Sequence, residues 1–291
     1  MKTLRALLIL ALLTSGCARE QVSKPDFTFA FLTDIHITPD RDAPEVFRQA
    51  IDAVNALKPD FVLTGGDLIM DALWAKRSRA DSLYQLYISL INGFQMPVYN
   101  TVGNHELFAF YNREIDPADL DYGDGMYRKY LGEPWYSFDH KGWHFIVLKS
   151  IEQTESRQYK GEINPEQLEW LRNDLAMVDS LTPIAVSVHI PLITVYDQWR
   201  NGGQYTNGPY SIITNGKEVM DLLRTRNIRL ILQGHQHYLE EIVVDGVRVI
   251  TGGAVSAGWW EGPLGKLKEG FVLLEMYGQD VKWEYVEYLQ R

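Results

Sequence analysis

A single cysteine, Cys17, stands in a chain of 291 residues. No disulfide can therefore form within it, and no cysteine-built zinc site is available. The chain has no run of lysine or arginine, and its net charge is −10. That balance excludes the phosphate-neutralising surface a nucleic-acid polymer requires. No apolar run approaches the roughly 20 residues of a membrane-crossing helix. There is no glycine-rich phosphate loop and no serine elbow, and His105-Glu106 has no second histidine four positions after the first, so it is not a zinc-protease helix. Internal repeats and low-complexity blocks are also missing. What remains, 46% hydrophobic and 12% aromatic, is the composition of a globular chain with a sizeable core.

The first residues read separately from that core. Lys2 and Arg5 precede the apolar run Ala6–Leu13, and Thr14-Ser15-Gly16-Cys17 closes it with small residues, the plan of an export signal. The placement of Cys17 resembles the bacterial lipoprotein signal, whose cysteine is lipidated and becomes the mature N-terminus. Thr14 stands where that signal usually has leucine, and Leu13 lies one residue further back. The expectation is a signal over residues 1–16, lipidation at Cys17, a polar tether over 17–25 and one domain over 26–291. The protein would then be exported, periplasmic or at the cell surface, touching the membrane only through its lipid.

From Phe27 onward strands and helices alternate, which predicts an α/β chain. Phe27–Leu32, Phe61–Thr64, Val98–Val102, Ile184–Val188 and the stretch from Leu230 read as strands, with helical spacing over Ala43–Leu57 and Leu73–Ile91. Each strand runs out into polar residues: Asp34 and His36, Gly66-Asp67, Gly103-Asn104-His105-Glu106, His189, and Gly234-His235-Gln236-His237. Turn chemistry explains one such ending, since turns favour glycine, asparagine and aspartate. Five that together supply Asp, His, Asp, Asn and three further histidines point to convergence at the carboxyl ends of the strands, where α/β proteins place ligands. In extended chain, residues two apart share a side, so Asp34 with His36, and His235 with His237, would each aim at one point. Nitrogen and oxygen donors without thiolate suit Mn, Fe, Zn or Mg, and they exceed what one tetrahedral ion needs. Two ions sharing a ligand follow, with Asp67 as the bridge because a carboxylate offers two oxygens.

These blocks, in this order, resemble the signature of the calcineurin-like metallophosphoesterases, and the likeness covers most of the chain after the signal. The resemblance implies an α/β (α+β) fold, a four-layer αββα sandwich of two mixed β-sheets flanked by helices, with the site at the strand ends. It implies one metal on Asp34, His36, Asp67 and His237 and another on Asp67, Asn104, His189 and His235. The ions would be Mn, Fe or Zn. They would neutralise phosphate oxygens and lower the pKa of a bound water, so that a bridging hydroxide attacks phosphorus in line. His105 is implied to contact the phosphoryl oxygen or protonate the leaving alkoxide, and Glu106 to stand behind His105 or cap a helix. Purple acid phosphatases carry a tyrosine where this chain has Met70, so a colourless protein is expected. Met70-Asp71-Ala72 also lacks the arginine of the Ser/Thr protein phosphatases. A phosphomonoesterase acting on a small phosphoester is the expectation, with a phosphodiesterase as the alternative and a non-catalytic metal-holding protein as the third reading.

Two long connections complete the picture. Leu107–Gly125, rich in aspartate, reads as a solvated loop placed where a lid would sit. Ile190–Gly216 carries Arg200 and Tyr205, expected to bind substrate together with Asn104 and His105. Trp259 and Trp260 read as cleft-lining or core residues. His140 and His144 flank a hairpin turn at Lys141-Gly142 and read as structural. The strands after His237 are expected to complete the second sheet.

Overall fold

The computed structural model describes residues 24–289. The export-signal, lipidation and most of the tether expectations, including Cys17, fall outside them. No helix among the described residues is long and apolar enough to cross a membrane.

Strand β1 (Phe27–Leu32) leads to helix α1 (Ala43–Leu57), and β2 (Phe61–Thr64) leads to α2 (Arg77–Ile91) and the short β3 (Val98–Tyr99). Helix α1 starts with Pro44 and Glu45 in its first turn and stops at Lys58, which turns left-handed. Its buried stripe, Ala43, Phe47, Ala50, Ile51 and Val54, has the three-and-four spacing of one helix face. After α3 (Gly125–Leu131) come the hairpin β4 (Tyr136–His140) and β5 (Trp143–Val147), and then the small β6 (Ile151–Gln153) and β7 (Tyr159–Gly161). Asn164 accepts the Gln167 N–H and so caps α4 (Pro165–Met177). Then follow β8 (Ile184–Ser187), α5 (Tyr196–Asn201), α6 (Gly216–Leu223), β9 (Ile228–Gln233), β10 (Glu240–Val244), β11 (Val247–Thr251), β12 (Gly270–Tyr277) and β13 (Asp280–Glu287).

Two mixed sheets result, ordered β13-β12-β1-β2-β3 and β10-β11-β9-β8-β5-β4. Alternation along the strands builds the layers. Phe27, Phe29 and Phe31 of β1, with Phe61 and Leu63 of β2, meet Trp143, Phe145 and Val147 of β5 and Leu230 and Leu232 of β9 in one apolar cluster between the sheets. The intervening residues, Ala30, Leu32, Val62, Ile146, Val186 and Ile231, join the cluster beneath the helices. A strand buried on both faces has no polar side, so these runs are mostly apolar. The Phe29 and Phe61 rings stack at 4.8 Å with Phe145 edge-on at 5.5 Å from Phe29. Truncating Phe29 to alanine there would cost about 3–5 kcal/mol. The fold is the four-layer αββα sandwich expected.

Four local expectations are corrected. The residues before Arg77 are not helical. Asp71 Oδ1 accepts the Leu73 N–H, and the carbonyls of Ala72 and Leu73 are taken by the N–H groups of Ala109 and Tyr111. Strand β3 ends at Tyr99 because the Asn100 carbonyl is filled by the hydroxyls of Tyr127 and Tyr136, and the Thr101 N–H by Thr64 Oγ1. Strands β12 and β13 belong to the first sheet, with β12 pairing antiparallel to β1 along Phe27–Phe31; only β10 and β11 extend the second. The connection after His105 is also less solvated than expected, for Leu107, Phe108, Ala109 and Phe110 are buried.

Candidate metal centre

All seven expected ligands gather at the carboxyl ends of β1, β2, β8 and β9 and in the turn at Gly103-Asn104. They do so by a backbone route that strand periodicity does not foresee. Asp34, His36, Asp67, His235 and His237 have φ of 55°, 48°, 52°, 71° and 54°. The left-handed region costs a non-glycine residue on the order of 1–3 kcal/mol. Cross-strand bonds hold it: the Asp34 N–H donates to the Gly66 carbonyl at 3.0 Å, the His36 N–H to the Asp67 carbonyl at 2.8 Å, and the His235 N–H to both Asp34 carboxylate oxygens at 3.0 and 3.1 Å. The same-side aim expected of extended chain is thus delivered by paired left-handed turns. Glycine is required where these turns pack: a Cβ on Gly103 would lie 2.2 Å from the Asp67 N and Oδ1, and one on Gly66 2.6 Å from His189 Nδ1.

The donors fall into two groups. Asp34, His36 and His237 form one and Asp67, His189 and His235 the other, with Asp67 also grouped with His36 and His105. Asp67 Oδ2 lies 3.1 Å from His189 Nε2 and 3.7 Å from His36 Nε2, which makes it the shared carboxylate. Asn104 Oδ1 lies 3.2 Å from His189 Nε2. Carbonyls fix three of the tautomers, because a carbonyl only accepts. His189 donates through Nδ1 to Gly65 at 2.8 Å, His237 through Nδ1 to Ala257 at 3.0 Å, and His235 through Nε2 to Tyr210 at 2.7 Å. Each keeps its other nitrogen turned inward, the arrangement by which carbonyls orient metal-binding imidazoles.

These inward nitrogens test whether metal fits. His36 Nε2 faces His237 Nε2 at 3.0 Å, and His189 Nε2 faces His235 Nδ1 at 3.3 Å. Two imidazole nitrogens thus meet at each position, with the buried carboxylate of Asp34 beside the first pair and that of Asp67 beside the second, a nitrogen and oxygen donor set that a cation fits. Proton balance agrees. Burial holds His36 well below its ordinary range, with His105 adding, and pushes His235 down to about 3, with His189 adding. Both are therefore neutral donors. Burial opposes ionisation of Asp67, yet His189 and His105 hold its carboxyl well below the usual range. His189, despite burial, is raised to about 9 by Asp67. Cation binding must displace its proton.

His105 stands at the edge of the centre, with Nε2 3.9 Å from Asp67 Oδ2. Its Nδ1 is bound by the Met70 carbonyl, not by Glu106. The expected contact between Glu106 and His105 is not made. The Glu106 carboxylate instead accepts four backbone N–H groups, from Asp67 and Gly103 on one oxygen and Leu68 and Ile69 on the other. It closes the two turns that carry Asp67 and Asn104 rather than capping a helix.

Arg200 and Tyr205 are not brought to the ligands. Arg200 lies over the ring of Tyr196 on its own helix and donates to that hydroxyl, and Tyr205 is exposed. The same loop meets the centre through the Tyr210 carbonyl, which accepts from His235 Nε2.

Residues not read as site residues close its sides. Thr33 Oγ1 donates to Asp34 Oδ2 at 2.7 Å, and Ser256 Oγ to the Asp34 carbonyl at 2.8 Å. Trp259 lies at the cleft wall. Its ring centroid lies 4.0 Å from that of His36 and 4.9 Å from that of His237, and Trp260 Nε1 donates to the His36 carbonyl at 3.0 Å. His140 and His144 are structural, as expected, paired with Asp60 and with Asp139 and Asp174.

Adjoining groups of buried donors around Asp67 at the strand ends of an αββα sandwich are residues that could hold two metal ions. The profile of the calcineurin-like phosphoesterases matches residues 27–239, and the chain belongs to that family. No curated protein matches it. Among solved structures it is similar to a dimetal phosphatase from Danio rerio, at 17% identity and TM-score 0.65, covering 91% of this chain and 98% of that one. It is also similar to the purple acid phosphatase PPD1 of yellow lupin seeds, at 16% identity and TM-score 0.59, covering 90% of this chain and 51% of that one. A third likeness is to GAP50, the anchor in the inner membrane complex of Plasmodium, at 16% identity and TM-score 0.56, covering 92% and 86%. At such identities the likeness is one of fold.

Proposed function

We propose that the protein is a two-metal phosphomonoesterase acting on a small phosphoester. The observation that carries this reading is His105 Nε2 beside the shared carboxylate of Asp67. Asp34, His36, Asp67 and His237 would hold one ion and Asp67, Asn104, His189 and His235 the other. Such ions neutralise the terminal oxygens of a phosphoester and supply hydroxide near neutral pH.

The protein's own residues do the rest. Because Met70 offers a carbonyl, Nδ1 of His105 carries a proton and Nε2 is the nitrogen turned to the substrate. With Nε2 also protonated, the ring binds a phosphoryl oxygen or gives its proton to the departing alkoxide. Two cation positions and His105 make three attachment points, matching the three terminal oxygens of a monoester, whereas a diester has two. Trp259 walls the first position and Tyr159, 6.1 Å from His235 between ring centroids, flanks the second.

The test uses the domain loaded with Mn²⁺ on p-nitrophenyl phosphate and on its bis-ester. A higher kcat/KM on the monoester supports the reading, and preference for the bis-ester replaces it with a phosphodiesterase. For location we propose export and anchoring by lipid at Cys17, supported by the sequence of residues 2–17 alone. Retention of a Cys17→Ala variant in the membrane fraction would overturn the anchor.

A further inference from the structure

A groove of about 550 Å3 is lined by Trp74, Lys76, Tyr111, Arg113, Glu114 and Arg157 among others. The backbone ties it to His105. Met70 supplies the carbonyl on His105 Nδ1, the Ala72 N–H donates to the His105 carbonyl, and the Ala109 and Tyr111 N–H groups donate to Ala72 and Leu73. The chain that positions the acid therefore runs directly into the groove wall at Trp74. From the other side, rings lead inward: Trp74 to Tyr111 at 5.0 Å, Tyr111 to Tyr159 at 6.3 Å, and Tyr159 to His235 at 6.1 Å.

The charge here runs against that of the whole chain. Three cations and one carboxylate, Glu114, line the groove, while the chain carries −10. Arg113 donates to the Ser156 carbonyl and Arg157 to that of Ile115, so both guanidiniums are placed by neutral acceptors. Neither they nor Lys76 form an ion pair among the described residues, unlike the adjoining Arg77, which is held by Asp119 and Asp121. Trp74 is 64% exposed beside Tyr111. An exposed indole next to cations that have no carboxylate partner suits a flat ring followed by an anion.

We propose that this groove is the leaving-group subsite, and that it takes a phosphoester whose leaving group carries a planar aromatic ring and a second anionic group. The inference rests on the phosphoester-hydrolase reading and narrows its substrate class. The ring lies on Trp74 and Tyr111, and the second anion meets Lys76, Arg113 and Arg157.

The experiment compares adenosine 3′,5′-bisphosphate, adenosine 5′-monophosphate and p-nitrophenyl phosphate on the Mn²⁺-loaded protein, wild type and an Arg113→Ser/Arg157→Ser double variant. Losing a charge-assisted contact costs about tenfold or more. The bisphosphate should therefore exceed the monophosphate in kcat/KM by at least that factor. In the double variant its kcat/KM relative to that of p-nitrophenyl phosphate should fall at least as far, mainly through KM. Equal use of both nucleotides, or an unchanged ratio in the variant, overturns the proposal. If the wild type hydrolyses none of the three, the hydrolase reading fails. Calorimetric binding of the bisphosphate then decides the groove: loss in the double variant supports the subsite, and no binding by the wild type refutes it.

Discussion

The carboxylate of Glu106 accepts the backbone N–H of Asp67 at 2.9 Å and that of Gly103 at 2.6 Å, so one buried side chain fixes the turns bearing the shared ligand and Asn104. Burial and the neighbouring charge of Asp67 push its carboxyl up to about 7, opposed by the N–H donors of Ile69 and Gly103. A Glu106→Gln substitution keeps the shape but turns an amide NH₂ toward backbone N–H groups. It should destabilise the fold by about 1–3 kcal/mol and weaken metal binding by roughly 10–100-fold. Thermal melts and metal titration read both. A fall in kcat with metal affinity and stability intact would instead place Glu106 behind His105.

His105 should behave in the opposite way. It is half-buried at the rim and its ring is held by one carbonyl, so His105→Ala should keep both ions. Its kcat should drop by about 10²–10⁴, the range for a lost acid–base group. Metal analysis beside single-turnover kinetics checks this. Loss of an ion together with activity would make His105 a ligand.

The cluster of candidate donors was legible because its residues punctuate strand ends, where apolar runs meet Gly, Asp, Asn and His. The fold class was legible for the same reason, since strands buried on both faces alternate with amphipathic helices. The partners of Glu106 were not legible. Adjacency suggested His105, but the turn at Asn104 sends consecutive side chains in different directions. Trp259 was ambiguous because its relation to His36 depends on a loop with Ala257, Trp259 and Trp260 all at positive φ, which no propensity signals. The sheet of β12 and β13 was misread because pairing with β1 is long-range, and nothing local in either strand names its partner.

His144 ties β5 to α4, accepting no metal role. Burial disfavours its charge, but bonds to Asp174 at 2.9 Å and Asp139 at 2.6 Å outweigh that and raise its pKa. A raised folded-state pKa gives stability that is full below the unfolded value, about 6.5, and is lost as pH rises through the folded one. Wild type should thus gain more stability over His144→Gln at pH 5.5 than at pH 9. Melting temperatures of both proteins across that range test it, and a gap independent of pH would show that the imidazole is not charged in the folded state.

Metal removal should reveal how much of the fold the centre holds. Five left-handed residues and two pairs of facing imidazole nitrogens are arranged around the candidate cation positions. A ligand present at a thousand times its dissociation constant stabilises by about 4 kcal/mol. Stripping the metals should therefore lower the melting temperature by roughly 10 °C for a domain of this size, with recovery on adding Mn²⁺. Because Asp67 is shared, Asp67→Asn should weaken both ions, whereas Asp34→Asn should release chiefly the one it shares with His36 and His237. Equal metal contents in the two variants, or a melt indifferent to chelator, would contradict the carboxylate bridge.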